Sequence, residues 1–243
     1  MPPTQDSVAR AFLERWLLHA GAFLLLSSVV HVALHFVTVG ATRIAADRPA
    51  PRGSVILREA TLSVFSSCSI VTAIDMLLDG YLAQDSSGTA DSEVLLHLCI
   101  IPCPHTLCSF FITASLLVLW GDAHFYWTHR MLHSVPFLYR HVHQVHHHSR
   151  YPNAFSGLCF HPVESLIYFS QLGIFVARPD LSAWRPLFKW GTILMPVATH
   201  HGFDDTRIGG HSTFHHAHHV RVVGNFGGLH AQWDRIFGTL LAG

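Results

Sequence analysis

Apolar residues in this chain gather in long runs, a pattern typical of helices that lie in a membrane rather than of a water-soluble domain. A membrane-spanning helix requires about 20 mostly apolar residues. Three runs reach this length, at residues 16–39, 55–78 and 95–120, and we predict a transmembrane helix in each. Pro102 and Pro104 should kink or restart the third helix near its first third. The pattern predicts an all-α integral membrane protein.

Two further apolar runs, at residues 155–177 and 184–198, follow the three predicted spans. The second is too short to cross a membrane comfortably, so the two would form either a transmembrane hairpin or a re-entrant, interfacial segment. Arg178, Arg185 and Lys189 lie between or within these runs, and the positive-inside rule disfavours such residues in a lumenal turn. The pattern therefore leaves the number of crossings open.

Basic and acidic residues are unevenly divided between the predicted connecting loops. Residues 40–58 contain four arginines, whereas residues 79–93 contain four acids and no basic residue. Because basic loops tend to stay in the cytoplasm, we expect the first loop there and the second loop in the lumen. The region after Trp120 then returns to the cytoplasm.

Composition supports a membrane protein and excludes some partners. Half of the 243 residues are apolar and 12% are charged, against roughly a quarter charged in an average soluble protein. The formal net charge of zero favours neither nucleic acid nor an acidic partner. The first apolar run is too long for a signal peptide, and no linker divides the chain. We expect one integrated unit, with a membrane-spanning region over residues 1–120 and a histidine-rich region over residues 121–243.

The five cysteines are odd in number, and at least four of them lie in apolar stretches. We interpret them as small, buried hydrophobic residues. A metal or redox site formed by Cys99 and Cys103 is the alternative interpretation, although the usual CxxC pairs are missing from the sequence.

Histidines concentrate in the second half of the chain, where two segments repeat the spacing HxxHH. These triplets and a shorter pair that precedes them comprise eight residues: His143, His146 and His147; His215, His218 and His219; His129 and His133. In a helix, positions i, i+3 and i+4 fall within an arc of about 100° on one face. We therefore expect each triplet to aim three imidazoles at one point.

Clustered imidazoles indicate a metal site, because neutral nitrogen ligands suit iron, copper or zinc better than magnesium or calcium. Eight histidines exceed the ligands of one tetrahedral zinc ion and fit two metals. His200 and His201 could add a ninth or tenth ligand, whereas His124, His148 and His216 lie off the faces of these sets. Four carboxylates nearby could accept an imidazole N–H and fix its tautomer: Asp122, Glu164, Asp204 and Asp205.

Two other kinds of metal or haem protein fit the sequence poorly. A zinc protease of the HExxH type needs a glutamate as general base between its ligands, but Arg-Met-Leu separates His129 from His133. Bis-histidine haem binding could employ His19, His31 or His35 in the first apolar run. It would leave both triplets unexplained.

Three sequence blocks that contain the histidines share a pattern with a known family. They are WGDAHFYWTHRMLHSVPFLYRHVHQVHH over residues 120–147; Asn153, Ser156-Gly157 and His161-Pro162-Val163-Glu164; and residues 215–219 with Asn225-Phe226-Gly227 and Trp233-Asp234-Arg235-Ile236-Phe237-Gly238-Thr239. Read together, the blocks resemble the fatty acid hydroxylase / sterol desaturase superfamily of membrane di-iron enzymes. The resemblance covers about residues 115–240, whereas the N-terminal half matches only in hydrophobicity.

The resemblance implies about four transmembrane helices in the endoplasmic reticulum, with a cytoplasmic histidine-rich helical cap that makes residues 121–243 the catalytic region. Histidines would hold two iron ions that activate O2, and electrons would come from NAD(P)H through cytochrome b5, its reductase or a similar carrier. The implied metal ligands are His129, His133, His143, His146, His147, His200, His215, His218 and His219, and all except His200 form the implied catalytic set. His201 is a substitute for His200, and His161 is a weaker candidate.

The leading hypothesis is therefore an O2-dependent oxidoreductase that hydroxylates or desaturates an unactivated C–H position of a lipid substrate: a sterol, a terpenoid or polyketide natural product, a fatty acid or a sphingolipid. Five aromatic residues either line the route from the bilayer to the metals or serve the fold alone: Phe125, Tyr126, Trp127, Phe155 and Phe160. The rival hypothesis is a non-catalytic histidine-rich protein that binds or transports metal. Transport would require ionisable groups across the whole membrane.

Overall fold

The computed structural model describes residues 4–37, 44, 51–85, 104–149, 152–206, 210–228 and 232–241, and these residues form an all-α fold, as predicted. Eleven α-helices are assigned within the described residues: α1 Gln5–Val37, α2 Gly53–Leu62, α3 Ser69–Asp85, α4 Pro104–Ser134, α5 Pro136–Leu138, α6 Gln144–His147, α7 Pro162–Phe169, α8 Ile174–Ala177, α9 Arg185–Thr199, α10 His211–Arg221 and α11 Gln232–Ile236. Short π-helical and 3-10 segments connect several of them: Ser63–Cys68, Tyr139–His143, Ser170–Gly173 and Pro179–Trp184.

Three helical stretches of the described chain are long and apolar enough to cross a membrane: Gln5–Ala33, Gly53–Ala83 and Leu107–Ser134. They overlap the three predicted spans, so an integral membrane protein is confirmed at this level. The third helix begins at Pro104, where a helix restart was expected, while residues 95–103 lie outside the described part of the chain. The apolar stretch Pro162–Ala177 is shorter, and the crossing number of about four stays a prediction.

The third helix extends 14 residues beyond the predicted end at Trp120, because α4 runs without a break to Ser134. His129 and His133 therefore lie in the C-terminal part of the same continuous helix as the third apolar run. Pro136 follows the last turn, where the missing backbone N–H cannot continue the helix. The boundary expected between residues 120 and 121 falls inside α4, so the apolar helix and the first histidine pair form one rigid element.

The core is built where α1, α3 and α9 contact the segment 152–175. Phe23 of α1, Val71 of α3 and Ile193 of α9 are fully buried, together with Phe169 and Phe175 from the intervening segment. Cys68 and Cys159 are also buried, as expected for small hydrophobic residues, whereas Cys108 is exposed. Cys99 and Cys103 lie outside the described residues.

Serines of the π-helical segment Ser63–Cys68 hold the loop that follows residue 152. Ser63 Oγ donates to the carbonyl of Phe155 at 3.0 Å, and Ser67 Oγ donates to that of Leu158 at 2.8 Å. One turn earlier, buried Glu59 accepts hydrogen bonds from Asn153 Nδ2 and Ser149 Oγ. These bonds fix the segment between α6 and α7 against the second membrane helix.

A group of charged residues joins α1, α3 and α9 at the opposite end of α9 from His200. Lys189 Nζ donates to Asp75 Oδ2 at 2.7 Å, and Arg15 and Arg185 both pair with Asp79. Arg185 and Lys189 are two of the residues that the positive-inside rule disfavours in a lumenal turn. Because acids of α3 neutralise them, their charge is weak evidence about the side of the membrane on which this end lies.

Candidate metal centre

Nine histidines from four parts of the chain meet near the C-terminal ends of α4 and α9. They form two groups, and within each group the ligand atoms all lie within 4.8 Å of one another. The five-histidine group contains His129, His133, His143, His147 and His218. The four-histidine group contains His146, His200, His215 and His219. These are the nine residues that the sequence analysis named as candidate ligands.

Each triplet is divided between the two groups, so the expectation that three imidazoles aim at one point was wrong. Of the first triplet, His143 and His147 belong to the five-histidine group and His146 belongs to the four-histidine group. Of the second triplet, His215 and His219 belong to the four-histidine group and His218 belongs to the five-histidine group. At about 100° per residue, positions i and i+4 lie about 40° apart, but positions i+3 and i+4 lie about 100° apart. Each triplet therefore contributes to both groups.

The Nε2 atoms of the imidazoles approach one another closely. In the five-histidine group, Nε2 of His147 lies 3.1 Å from that of His133, 3.0 Å from that of His143 and 3.2 Å from that of His218. In the four-histidine group, the distance is 3.3 Å from His200 to His146 and 3.2 Å from His219 to His215. The rings converge through the same nitrogen, as ligands of a shared ion do.

Backbone carbonyls fix the tautomer of three rings. The Nδ1 atoms of these rings donate to carbonyl oxygens that can only accept: His129 to Phe226 at 2.8 Å, His200 to Pro196 at 2.9 Å and His218 to Gly224 at 2.7 Å. A neutral ring that donates from Nδ1 has a lone pair on Nε2. These three residues therefore present lone pairs toward the centres of their groups.

Of the four expected carboxylates, Glu164 contacts a candidate ligand directly. Its Oε1 lies 2.7 Å from Nδ1 of His143, and burial raises the pKa of Glu164 well above its ordinary value. Asp205 instead accepts from the backbone N–H groups of Ser212 and Thr213 at the start of α10. Asp122 accepts from Gln232, and Asp204 accepts from the backbone of Thr206.

Burial keeps the imidazoles outside the membrane helices in their neutral form. Desolvation, reinforced by neighbouring rings, lowers the pKa of His143, His146, His215, His218 and His219 well below the ordinary value. Desolvation also lowers the pKa of His147 to about 3 and that of His200 to about 4. Neutral lone pairs that face one another at about 3 Å repel unless a cation lies between them, so the donor set fits two transition-metal ions.

Other histidines near the centre have different roles. His124 Nε2 lies 3.0 Å from Ser170 Oγ, and His161 caps α7 by accepting from the N–H of Val163. His201 accepts from the N–H of Phe203, which resolves the choice between the adjacent residues in favour of His200 as a member of the group.

A cavity of about 330 Å³ adjoins both groups. Histidines of both groups line it, and so do α4 residues as far as Ala114 and α9 residues as far as Leu187, mostly with apolar side chains. Of the five candidate aromatic residues, Phe125 and Phe160 line the cavity. Tyr126 is instead buried with its hydroxyl 3.0 Å from Thr239 Oγ1, Trp127 contacts Phe237, and Phe155 contacts His31.

The sequence analysis assigned no role to the residues that orient His129 and His218. Asp234 is fully buried and accepts from the N–H groups of Phe226 and Gly227, both at 2.8 Å. These two bonds hold the loop whose carbonyls accept from the rings of His129 and His218. The third sequence block contains these residues, but backbone carbonyls carry no side-chain signal that would reveal the contact.

Comparisons with known proteins agree with the geometry. A sequence model of the family described as fatty acid hydroxylase matches residues 114–239. A putative methylsterol monooxygenase of Dictyostelium discoideum is 36% identical over 52% of this chain and 50% of its own length, and methylsterol monooxygenase 1 of Gallus gallus is 30% identical over 49% and 42%. A putative Delta(7)-sterol-C5(6)-desaturase 2 of Arabidopsis thaliana is 28% identical over 71% and 67%.

The chain spans about half the length of the first two of these relatives. No solved structure shows significant similarity to this fold.

Proposed function

Because the chain belongs to the fatty acid hydroxylase family, we propose that it is a membrane-bound non-haem di-iron oxygenase that hydroxylates or desaturates an unactivated C–H position of a lipid. The observation that carries the proposal is the pair of histidine groups beside an apolar cavity. The relatives named as methylsterol monooxygenases and sterol desaturases favour a sterol-type substrate, ahead of a terpenoid, polyketide, fatty acid or sphingolipid.

One iron ion would bind in each histidine group. When bound, the two ions would supply the reduction of O2 and the abstraction of hydrogen from the substrate. The number of donors supports two ions over a single tetrahedral zinc site, because nine nitrogens exceed what one tetrahedral ion needs. No glutamate separates His129 from His133 to serve as the base of an HExxH protease.

The chain's own residues would orient the ligands and exclude water. Carbonyls of the loop after α10 fix the rings of His129 and His218, and Glu164 fixes that of His143. The cavity brings an apolar molecule to both groups, and its apolar wall keeps bulk water from the reacting carbon. The same wall argues against the rival transport hypothesis, which needs ionisable groups along a path across the membrane.

Hydroxylation would consume O2, two electrons and two protons and would release water with the alcohol. Desaturation would take two hydrogens from the substrate and release two waters. Both reactions need an external electron donor, which we infer to be NAD(P)H acting through cytochrome b5, its reductase or a similar carrier. This assignment implies the endoplasmic reticulum membrane with the metal centre on the cytoplasmic side.

Metal analysis combined with lipid profiling tests the proposal. Cells that produce the chain should form a product that differs from its precursor by one added oxygen or by two lost hydrogens. The purified protein should carry about two iron ions, as expected for two ligand groups. His146→Ala removes a buried member of the four-histidine group and should abolish the product.

His148→Ala is the matched control, because His148 is exposed and belongs to neither group. It should leave the product unchanged. A protein that holds stoichiometric zinc and is inactive with iron would contradict the proposal. Metal flux into vesicles without oxygen consumption would favour the transport hypothesis instead.

A further inference from the structure

Glu164 brings a carboxyl group to the wall of the cavity that adjoins both histidine groups. The residue is buried, with 3% of its surface exposed. One of its oxygens, Oε1, lies 2.7 Å from His143 Nδ1, within hydrogen-bond distance. The other oxygen, Oε2, is buried and has no hydrogen-bond partner among the described residues. Half of this carboxyl group is therefore unsatisfied beside the cavity.

The other buried glutamate of the described chain shows the usual arrangement. Glu59 Oε1 accepts from Ser149 Oγ, and Glu59 Oε2 accepts from Asn153 Nδ2 at 2.6 Å, so both oxygens are satisfied within the protein. A buried polar atom without a partner is costly. Glu164 Oε2 is therefore a place where a ligand with a hydrogen-bonding group is favoured.

Glu164 differs from every other polar side chain of this wall. Of the buried atoms without a partner, three belong to residues that line the cavity: Glu164 Oε2, His146 Nδ1 and His215 Nδ1. Both histidines belong to the four-histidine group, whereas Glu164 belongs to neither group. The remaining carboxyl, hydroxyl and amide side chains of the wall form hydrogen bonds within the protein: Asp122, Thr128, Tyr168, Gln171, Thr192 and Thr199.

A ligand group bonded to Oε2 would lie beside the metal centre. One hydrogen bond and the ring of His143 separate the carboxyl group of Glu164 from His143 Nε2. That nitrogen lies 3.0 Å from Nε2 of His147 and 3.2 Å from Nε2 of His129, both in the five-histidine group. The carboxyl group is therefore one ring away from the atoms that would hold an ion.

A hydroxyl group is the partner that satisfies Oε2 in either protonation state of Glu164. It donates to an ionised carboxylate and accepts from a neutral carboxyl group, whereas a carbonyl oxygen can only accept. A carboxylate or phosphate would bring a like charge beside the ionised form. An ammonium would bring a further charge into a mostly apolar cavity, where a charge is costly without several partners.

We propose that Glu164 Oε2 forms a hydrogen bond with a hydroxyl group of the lipid substrate and thereby positions the neighbouring carbon at the metal centre. The inference rests on the proposed function and narrows its substrate class. The substrate is a lipid alcohol in which the oxidised carbon lies within a few bonds of the carbon that bears the hydroxyl. The end of the molecule that bears the hydroxyl, and not the far hydrocarbon end, faces the histidines.

Paired probes that differ only in the hydroxyl group test the assignment. Cholestanol and cholestane form a pair with a ring skeleton, and stearyl alcohol and octadecane form a pair with a linear chain. Binding is measured for the full chain in lipid nanodiscs with iron(II) and without oxygen, so no turnover occurs. The alcohol of at least one pair should bind about tenfold more tightly than its hydrocarbon, as one satisfied buried group allows. Equal affinities within both pairs, or binding of no probe, overturns the proposal.

Substitutions that remove Oε2 should abolish this preference. In Glu164→Leu and in Glu164→Met, the affinity for the alcohol should fall to that for the hydrocarbon. Thermal denaturation identifies a variant that fails to fold, and two variants are made for that reason. Iron content is measured in the same samples, because His143 also contacts Glu164. A loss of iron alone would weaken the two members of a pair equally, so a preference that persists in both variants overturns the proposal.

A conservative variant and a distant one complete the comparison. Glu164→Gln keeps an oxygen for His143 and places an amide N–H group where Oε2 was, so it should retain a preference for the alcohol. Asp204→Leu is the matched control, because Asp204 is exposed and lies outside this cavity; it should bind as the native protein does. Loss of the preference in Asp204→Leu, or in Glu164→Gln as fully as in Glu164→Leu, contradicts the hydrogen bond.

The position of oxidation in the native product provides an independent arm. An oxidised carbon close to the one that bears the hydroxyl supports the inference, whereas a remote carbon or a substrate without a hydroxyl contradicts it. Probe binding requires no turnover, so it separates the two proposals. Failure of the inference alone would leave a product that depends on His146 but no preference for the alcohol. Failure of the proposed function alone would leave that preference without a product.

Discussion

At the residue scale, single hydrogen-bond acceptors orient the histidines of the candidate metal centre. A partner at the other ring nitrogen fixes the tautomer and the orientation of a histidine that binds a metal. Backbone carbonyls provide that partner for His129, His200 and His218, and Glu164 lies in the same position against His143. A change that touches no iron ligand should therefore still alter metal binding.

Replacement of Glu164 should weaken iron retention through His143. Glu164→Leu keeps the approximate volume of the side chain but removes the acceptor 2.7 Å from Nδ1 of His143. The iron affinity should fall about 10–100-fold, and less in Glu164→Gln, which keeps a carbonyl oxygen. Iron content after dialysis against a competing chelator measures the effect. Asp204→Leu changes an exposed acid and should retain iron as the native protein does; equal loss in both leucine variants would contradict the role of Glu164.

The close approach of Gly157 to α9 predicts a large effect of one methyl group. A Cβ atom at Gly157 would lie 2.4 Å from the carbonyl oxygen of Pro196, a backbone atom that cannot move aside alone. Gly157→Ala should lower the free energy of unfolding by about 1–3 kcal/mol, the usual range for overpacking. Thermal denaturation in detergent measures it. Gly80→Ala is the control, since nothing lies within 4 Å of its Cβ position, and a drop of equal size there would refute the explanation.

At the scale of the structural elements, a short irregular segment after α10 positions two of the candidate ligands. The helix α10 ends at Arg221, and Val222 and Asn225 adopt left-handed backbone angles, both with φ of 55°. The chain thereby reverses direction within a few residues, and the carbonyls of Gly224 and Phe226 reach His218 and His129. The loop links α10 to α4 through the two rings.

Asp234 anchors this loop, so its loss should affect both stability and metal binding. Asp234→Ala leaves the N–H groups of Phe226 and Gly227 buried without their acceptor. The free energy of unfolding should fall by at least about 2 kcal/mol, since each unsatisfied buried group costs about 1–3 kcal/mol. Thermal denaturation and iron content are the measurements. Asp180→Ala removes an exposed acid paired with Arg178 and should change neither; unaltered iron content in Asp234→Ala would argue against the anchoring role.

At the scale of the whole molecule, helices distant in sequence are joined at two places. The metal centre draws on α4, α6 and α10 and on His200 after α9, while the charged group joins α1, α3 and α9. Asp75 is 3% exposed, so its charge depends on Lys189 and the neighbouring arginines for compensation. Removing one partner of such a pair is more costly than removing both.

A double-mutant cycle should reveal this coupling. Asp75→Asn should lower the free energy of unfolding by about 3 kcal/mol, because the ammonium of Lys189 is left without its counter-charge. Asp75→Asn with Lys189→Met should cost clearly less than the sum of the two single substitutions. Thermal denaturation of the four proteins in one detergent provides the comparison. Additive effects would show that the pair is not coupled.

The sequence by itself determined the fold class and eight of the nine histidines that meet, those of the two triplets and the preceding pair, whereas His200 was ranked before His201 only through the family resemblance. Long apolar runs can satisfy their backbone groups in a membrane only as helices, and the HxxHH spacing follows from the covalent geometry of one helix. Both signals come from residues that are close together in the sequence, so they can be read without knowing which distant residues these side chains contact. The third sequence block could also be recognised as part of a family pattern, but the sequence did not indicate what its residues do.

Only the tertiary structure decided how those histidines divide. His146 and His147 are neighbours in sequence but belong to different groups, because neighbouring helical positions point about 100° apart and the packing of α10 and His200 determines which direction meets which ring. The carbonyls that fix His129 and His218 and the neutralised charges of α9 are likewise contacts between distant segments. Helical periodicity specifies the direction of a side chain, whereas its partner depends on the packing of the whole chain.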